Sequence, residues 1–206
     1  MNILRLPLRI IRKIRYLGAL NCVKCFSDFI VFSYYTYTFN IDRWHKQGGL
    51  YCSKRNPYIV EIVNSISPES VVDIGCGLGA ILSEVNASSL LGIDNSKKII
   101  SAAKKMTRNN NIDFKHGTFD HISGNYEVLI ATNFLHSFDQ PKVKNWIESA
   151  ISRNSVKFLI FDEIHENSDG YKYKHKFDEI VPKIKLIKRK EFILEKRDIV
   201  LFQVIR

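Results

Sequence analysis

Val71-Val72-Asp73-Ile74-Gly75-Cys76-Gly77-Leu78-Gly79-Ala80 sets an apolar lead-in directly against three glycines at alternate positions. The β-branched pair and Ile74 read as a strand buried on both faces. Glycine reaches positive φ and has no Cβ, so a ligand can approach the backbone closely. Ile81, Leu82 and Val85 then recur at helical spacing, so a helix is expected after the turn. Strand, glycine turn and helix together form a nucleotide-binding arrangement, with amide groups at the helix start aimed at the ligand.

Gly75, Gly77 and Ala80 also satisfy the dinucleotide fingerprint. Two details favour a different cofactor. Asp73 stands two residues before the first glycine, where dinucleotide folds usually stay apolar. The third glycine follows the second by two residues, not three. The segment resembles motif I of the class I S-adenosylmethionine-dependent methyltransferases, an acid, one residue, then Gly-x-Gly-x-Gly. The resemblance covers about Tyr58 to Arg206. It implies S-adenosyl-L-methionine as cofactor, held by Asp73, Gly75, Cys76, Gly77 and Gly79.

Downstream, Leu90 to Ile93 is a short apolar run that ends at Asp94, 21 residues beyond Asp73. That is close to the spacing at which an acid on the second strand meets the ribose hydroxyls. Asn95 and Ser96 follow, and the helix Lys97 to Arg108 begins, so an N-cap role for this corner is the alternative. Ile112 to His116 reads as a third strand, with Gly117-Thr118-Phe119-Asp120 after it. The family often has an acid after that glycine, for the adenine amino group; Thr118 replaces it here. Phe119 is a candidate to stack on the adenine, or a core phenylalanine.

Tyr126 to Ala131 is the fourth strand, and Thr132-Asn133-Phe134-Leu135-His136 should lie at its carboxyl edge, where ligands bind in open α/β sheets. Asn133 joins the cofactor set. The next helix runs Lys142 to Ser152, with Val143, Trp146, Ile147 and Ala150 inward, and Phe158 to Phe161 is a fifth strand ending at Asp162-Glu163. Strands near Ile184 to Leu194 and Ile199 to Ile205 suit an antiparallel hairpin. The expected fold is α/β, a Rossmann-like doubly wound, mostly parallel sheet with an antiparallel C-terminal hairpin and a helical N-terminal extension. The expected division is a basic, aromatic extension over residues 1–56 and a methyltransferase domain over 57–206.

The extension carries Arg5, Arg9, Arg12, Lys13 and Arg15 without an acid in Met1 to Tyr16, with Leu4, Leu8, Ile11 and Ile14 between them. It suits an anionic membrane surface, a partner, or the chain's own domain. Phe29 to Phe39 is rich in aromatics, reads as helix or strand, and is expected to pack into the core. Arg55-Asn56-Pro57-Tyr58 opens a helix through Ile66, with Ile59, Ile62, Val63 and Ile66 on one face.

The net charge of +10 over 206 residues points to an anionic partner: nucleic acid, lipid surface, phosphorylated substrate or acidic glycan. The four cysteines, Cys22, Cys25, Cys52 and Cys76, form no zinc set, so no metal is expected. Reduced thiols suit a cytoplasmic protein. No apolar run spans a bilayer, and the N-terminus does not read as a secretory signal.

Methyl transfer from a sulfonium mainly requires alignment, plus removal of an acceptor proton. His136 is the candidate base, Asp162 the base or its orienting group, and His175 a loop histidine able to fold over the cavity. His45 is a further histidine, in the extension. The fourth strand ends Ala-Thr-Asn-Phe, without the Asn/Asp-Pro-Pro-aromatic signature of base-amine methylation, and no Pro-Cys nucleophile is present. A hydroxyl on a small molecule or sugar is therefore the expected acceptor. Asp42-Arg43-Trp44-His45, Arg55 to Tyr58, Asn133 to His136 and Tyr173 to Phe177 are loosely similar to small bacterial methyltransferases of surface-polysaccharide synthesis. The competing readings are an RNA methyltransferase, an NAD-dependent oxidoreductase, and a non-catalytic binding module on the same fold.

Overall fold

The computed structural model describes residues 11, 13–43, 45, 48–107 and 109–205. The expectations for Arg5, Arg9, Arg12, Leu4, Leu8, Trp44 and Arg108 lie outside these residues. The core of the fold is a seven-stranded sheet with the order β3-β2-β1-β4-β5-β7-β6. The strands are β1 (Ser70–Ile74), β2 (Ser89–Asp94), β3 (Ile112–His116), β4 (Val128–Ala131), β5 (Phe158–Ile164), β6 (Ile184–Phe192) and β7 (Arg197–Val204). The first five run parallel, and β7 pairs antiparallel with both β5 and β6. This is the expected mostly parallel sheet with its C-terminal hairpin. The successive order reverses between β1 and β4, where Asp73 pairs with Ile130. An open α/β sheet has its ligand crevice at the carboxyl ends flanking such a reversal.

Helices cover both faces. The Arg55–Ile66 helix, α2 (α1 is Ala19–Thr38), buries Tyr58, Ile59, Ile62 and Val63 with Val71, Leu90 and Ile130 of the sheet. The Lys97–Met106 helix, α3, starts at Ser96, whose Oγ accepts from the Ile99 amide. Opposite, the Gln140–Arg153 helix, α4, starts at an Asp139 N-cap with Pro141 in its first turn, and buries Val143, Trp146, Ile147 and Ala150. A four-residue helix, α5 (Phe177–Ile180), adds Phe177 to the same face. The indole of Trp146 lies nearly parallel to Phe119, 5.2 Å between centroids, and edge-on to Phe138 at 4.8 Å. Trp146→Ala opens a void behind this aromatic group. The expected loss of stability is about 3–5 kcal/mol, read from the midpoint of urea unfolding.

Four sequence expectations are corrected. The helix after the glycine turn is absent; only a three-residue 3₁₀ turn, Leu82–Glu84, forms there. The stretch from Ala80 to Ser88 must return along the whole of β1, a path of about 16 Å. As an α-helix it would advance only about 13 Å, so the chain stays more extended. β5 continues through Asp162 and Glu163 to Ile164, because β7 pairs with it along its full length, up to Ile164 opposite Arg197. The aromatic N-terminal stretch is helical, α1 (Ala19–Thr38), but it does not pack into the core as a whole. Only Cys25, Phe32 and Thr36 of this helix are buried. Its inner face meets Leu78 of the glycine loop and Ile99 and Ala102 of α3. The β4 strand starts at Val128 rather than Tyr126.

Candidate active site

A cavity with two lobes, of about 340 and 410 Å³, opens at the reversal between β1 and β4. Both lobes are lined by Gly75, Gly77, Asn133 and His45. Asp73, Cys76, Arg55 and Asn56 face the first lobe, and Asp94, Asn95 and Phe134 the second. Two acids from neighbouring parallel strands thus reach one cavity.

The loop geometry explains the glycines. Gly75 has φ +77° and Gly77 has φ +54°, in the left-handed region. A Cβ on Gly75 would press on the Phe134 side chain at 3.1–3.3 Å, and one on Gly77 would project into the cavity beside His45. Gly79 does different work: the Phe114 ring occupies the space its Cβ would need, 2.7 Å away, and Gly79 is not part of the cavity wall. Three amides of the loop turn to β2 and not to a ligand, unlike the arrangement the sequence suggests. Gly75 and Cys76 donate to the Ile93 carbonyl at 2.8 and 3.1 Å, and Gly77 donates to Asp94 at 3.2 Å. At Gly75 and Gly77 the loop offers a ligand its bare backbone, and these hydrogen bonds hold it against β2.

Asp94 fixes this corner. One carboxylate oxygen accepts from the Gly77 amide and the other from the Ser96 amide at 2.9 Å. Ser96 caps α3, and Asp94 braces the loop while it faces the cavity. Burial raises its pKa, and the two amide hydrogen bonds, with His45 and His116, oppose the rise. Asp73 is more extreme. It is 3 % exposed, and burial followed by the charge of Asp94 pushes its pKa up to about 7. A buried carboxyl held half-protonated at neutral pH gains most from a cation placed beside it. The two acids, the glycine-rich loop and the cavity between them fit S-adenosyl-L-methionine, a cation with a ribose diol.

Not every candidate falls on this wall. Phe119 is buried against Trp146, and neither it nor Thr118 lines either lobe. Thr118 opens the short turn Phe119–His121, and its amide donates to His121 Nδ1. His175 is buried, and its Nε2 donates to the carbonyls of Leu135 and Phe138 at 3.2 and 3.0 Å. It braces the chain after β4 and does not fold over the cavity. Asp162 accepts from the Asn133 amide at 2.7 Å through one oxygen, and its other oxygen pairs with Arg197 at 2.5 Å and Arg55 at 3.8 Å. With both oxygens engaged it is a positioning group for Asn133, whose φ is +58°. His136 stands edge-on to Tyr171, with a buried Nδ1 that has no hydrogen-bond partner among the described residues. Burial lowers its pKa, so the ring is neutral, but it lies off the wall of both lobes.

Arg197 escaped the sequence reading. It is buried at the start of β7, bonds Asn133 Oδ1 at 3.0 Å, Asp162 and the Tyr171 hydroxyl, and locks the end of β4 to β5. An arginine in a charged hairpin carries no local sign of burial. His165, Glu191 and Asp198 offer ligand atoms within 4.8 Å of one another, but Arg189 already holds Asp198, and the three lie away from the cavity wall.

Comparison with known proteins agrees with this geometry. A family description, "Methyltransferase domain", matches residues 67–194. A ubiquinone biosynthesis O-methyltransferase from Nitrosomonas europaea is 30 % identical over 126 residues, 56 % of this chain and 52 % of that protein. The chain therefore spans about half the length of this relative. Magnesium protoporphyrin IX methyltransferase from Synechocystis PCC 6803, solved with bound S-adenosylhomocysteine, superposes with TM-score 0.63 at 16 % identity, covering 80 % of this chain and 88 % of that one. TehB from Haemophilus influenzae superposes with TM-score 0.59 at 16 % identity, over 72 % of this chain and 62 % of that one. These two likenesses speak for the fold. The family match, spanning more than half of the chain, sets aside the dinucleotide reading, and the protein belongs to the class I S-adenosylmethionine-dependent methyltransferases.

Proposed function

We propose that this chain transfers a methyl group from S-adenosylmethionine to a hydroxyl oxygen of a small molecule, with a sugar hydroxyl as the narrower class. The observation that carries the reading is the arrival of Asp73 and Asp94, from two adjacent strands, at one cavity at the sheet's reversal. Asp73 would face the cationic methionine end, and Asp94 would accept from the ribose hydroxyls while its remaining lone pairs brace Gly77 and Ser96. When bound, the cofactor supplies an electrophilic methyl on a cationic sulfur. The protein excludes water, holds the acceptor in line and receives its proton.

For that last role His45 is better placed than His136, because His45 lines both lobes. Burial lowers its pKa, and the nearby charges of Asp94 and Asp42 oppose the fall. The O-methyltransferase named among the relatives supports an oxygen acceptor of small size.

The test is transfer of labelled methyl to a panel of phenolic and sugar hydroxyl compounds, with titration by S-adenosylhomocysteine alongside. We expect binding of S-adenosylhomocysteine and turnover on at least one hydroxyl compound. His45→Gln should lower kcat by about 10²–10⁴-fold and flatten the acid limb of the pH profile, with cofactor affinity nearly unchanged. Label entering RNA but no hydroxyl compound would overturn the acceptor class. An unchanged kcat in His45→Gln beside a loss in His136→Gln would return the proton to His136.

A further inference from the structure

We propose that the outer face of α1 docks the protein on an anionic lipid surface. Leu20, Val23, Phe26, Ile30, Tyr34 and Tyr37 follow one another three or four residues apart, so they share one stripe of the helix. All six are 54 to 87 % exposed. Beside the stripe, Lys13, Ile14, Val23, Phe26 and Phe29 line an apolar groove of about 710 Å³. A continuous apolar face of this length on a folded chain marks a surface that meets something else.

Charge selects the occupant. Before Asp42 the sequence carries six cations, Arg5, Arg9, Arg12, Lys13, Arg15 and Lys24, and a single acid, Asp28. Asp28 is turned inward, where its carboxylate accepts from the Tyr51 amide at 3.2 Å. Lys24 lies over the Tyr51 ring and Lys54 over the Tyr16 ring, so cations border the face. A helix with an apolar stripe, flanking cations and interfacial tyrosines lies in the plane of an anionic bilayer. No helix among the described residues is long and apolar enough to cross a membrane, so the contact is peripheral. A second copy of the chain is a poorer occupant, because two bodies of charge +10 repel when their basic flanks meet. The inner face of the same helix supplies Phe32 to the cavity wall, and the chain beyond it supplies Asn40 and Ile41. Docking therefore brings a wall of the cavity to the lipid surface.

The test is flotation of the full chain with vesicles of phosphatidylcholine alone, or with about one third phosphatidylglycerol. Cofactor and acceptor are omitted, so the outcome is independent of the methyl-transfer reading. We expect binding to the anionic vesicles, at least about tenfold weaker binding to the neutral ones, and release as salt rises. The exposed triple change Val23→Ser, Phe26→Ser and Ile30→Ser should cut binding at least about tenfold. The salt and lipid comparisons use the unchanged chain and stand even if the triple variant folds poorly. No binding to anionic vesicles, equal binding to both lipids, or full binding by a folded triple variant would each overturn the proposal. Light scattering that shows a dimer in place of vesicle binding, abolished by the triple change, would assign the face to a second copy.

Discussion

Asp73→Asn is expected to weaken cofactor binding by about 10- to 100-fold, the worth of one charge-assisted hydrogen bond, while making the empty protein more stable at pH 8. The two effects share one cause. The Asp73 carboxyl is raised to about 7 by burial and by the charge of Asp94. In the unfolded chain the same group titrates near 3.8, its ordinary value. Below that value both states are protonated and the group costs nothing. As pH climbs from about 4 to 7 the unfolded chain releases its proton and the folded chain does not, so stability falls; above 7 the loss is complete. A difference of about three units corresponds to up to ~4 kcal/mol. The amide has no charge to bury, so thermal unfolding of Asp73→Asn should lose this decline with pH, with the two proteins alike near pH 4. Cofactor affinity of the unchanged protein should rise as pH approaches 7, because a cation binds best to the ionised carboxylate, and the variant should show no such rise. Calorimetry with S-adenosylmethionine across pH 5 to 8, beside melting curves at the same pH values, checks both limbs. Unweakened binding by a variant that melts higher would remove Asp73 from the cofactor site and leave it a strained acid.

Arg197→Ala is expected to destabilise the fold by about 3–5 kcal/mol, the largest single loss outside the aromatic core. Asp162 is buried inside β5, and Arg197 is its close cationic partner, with Arg55 farther off at 3.8 Å. Removing the guanidinium leaves a buried charge and frees Asn133 Oδ1 and the Tyr171 hydroxyl. At about 2–4 °C per kcal/mol for a chain of this size, melting should fall by roughly 6–20 °C. Asn133 also loses one of the two bonds that hold it in the left-handed region, and it lines both lobes of the cavity. Cofactor affinity should therefore weaken further than the lost stability explains at temperatures where the variant is still folded. Replacing Arg197 and Asp162 together by Met and Leu should recover much of the melting temperature, because no charge then stays buried alone. It should not recover affinity, because Asn133 lacks its anchors.

The pattern of elements was legible along the chain. Strands β1 to β3 are continuous apolar runs or strict alternations bounded by turn residues, and the glycine turn and Asp94 sit within one strand–turn–strand unit, so local rules suffice for them. The corner before α3 was readable for the same reason: Ser96 acts on an amide three residues away. Three other features had no local sign. The absent helix after Gly79 follows from the distance the chain must cover beside β1, which is known only once β2 is paired. The depth of Asp162 follows from the full-length pairing of β5 with β7, and the Arg55–Asp162–Arg197 cluster joins residues from three separate parts of the chain. The spacing of Leu20, Val23, Phe26 and Ile30 marks an apolar face, but burial depends on what lies opposite. Periodicity says which residues share a face; packing alone says whether that face is covered, and in α1 the protein leaves it open to solvent.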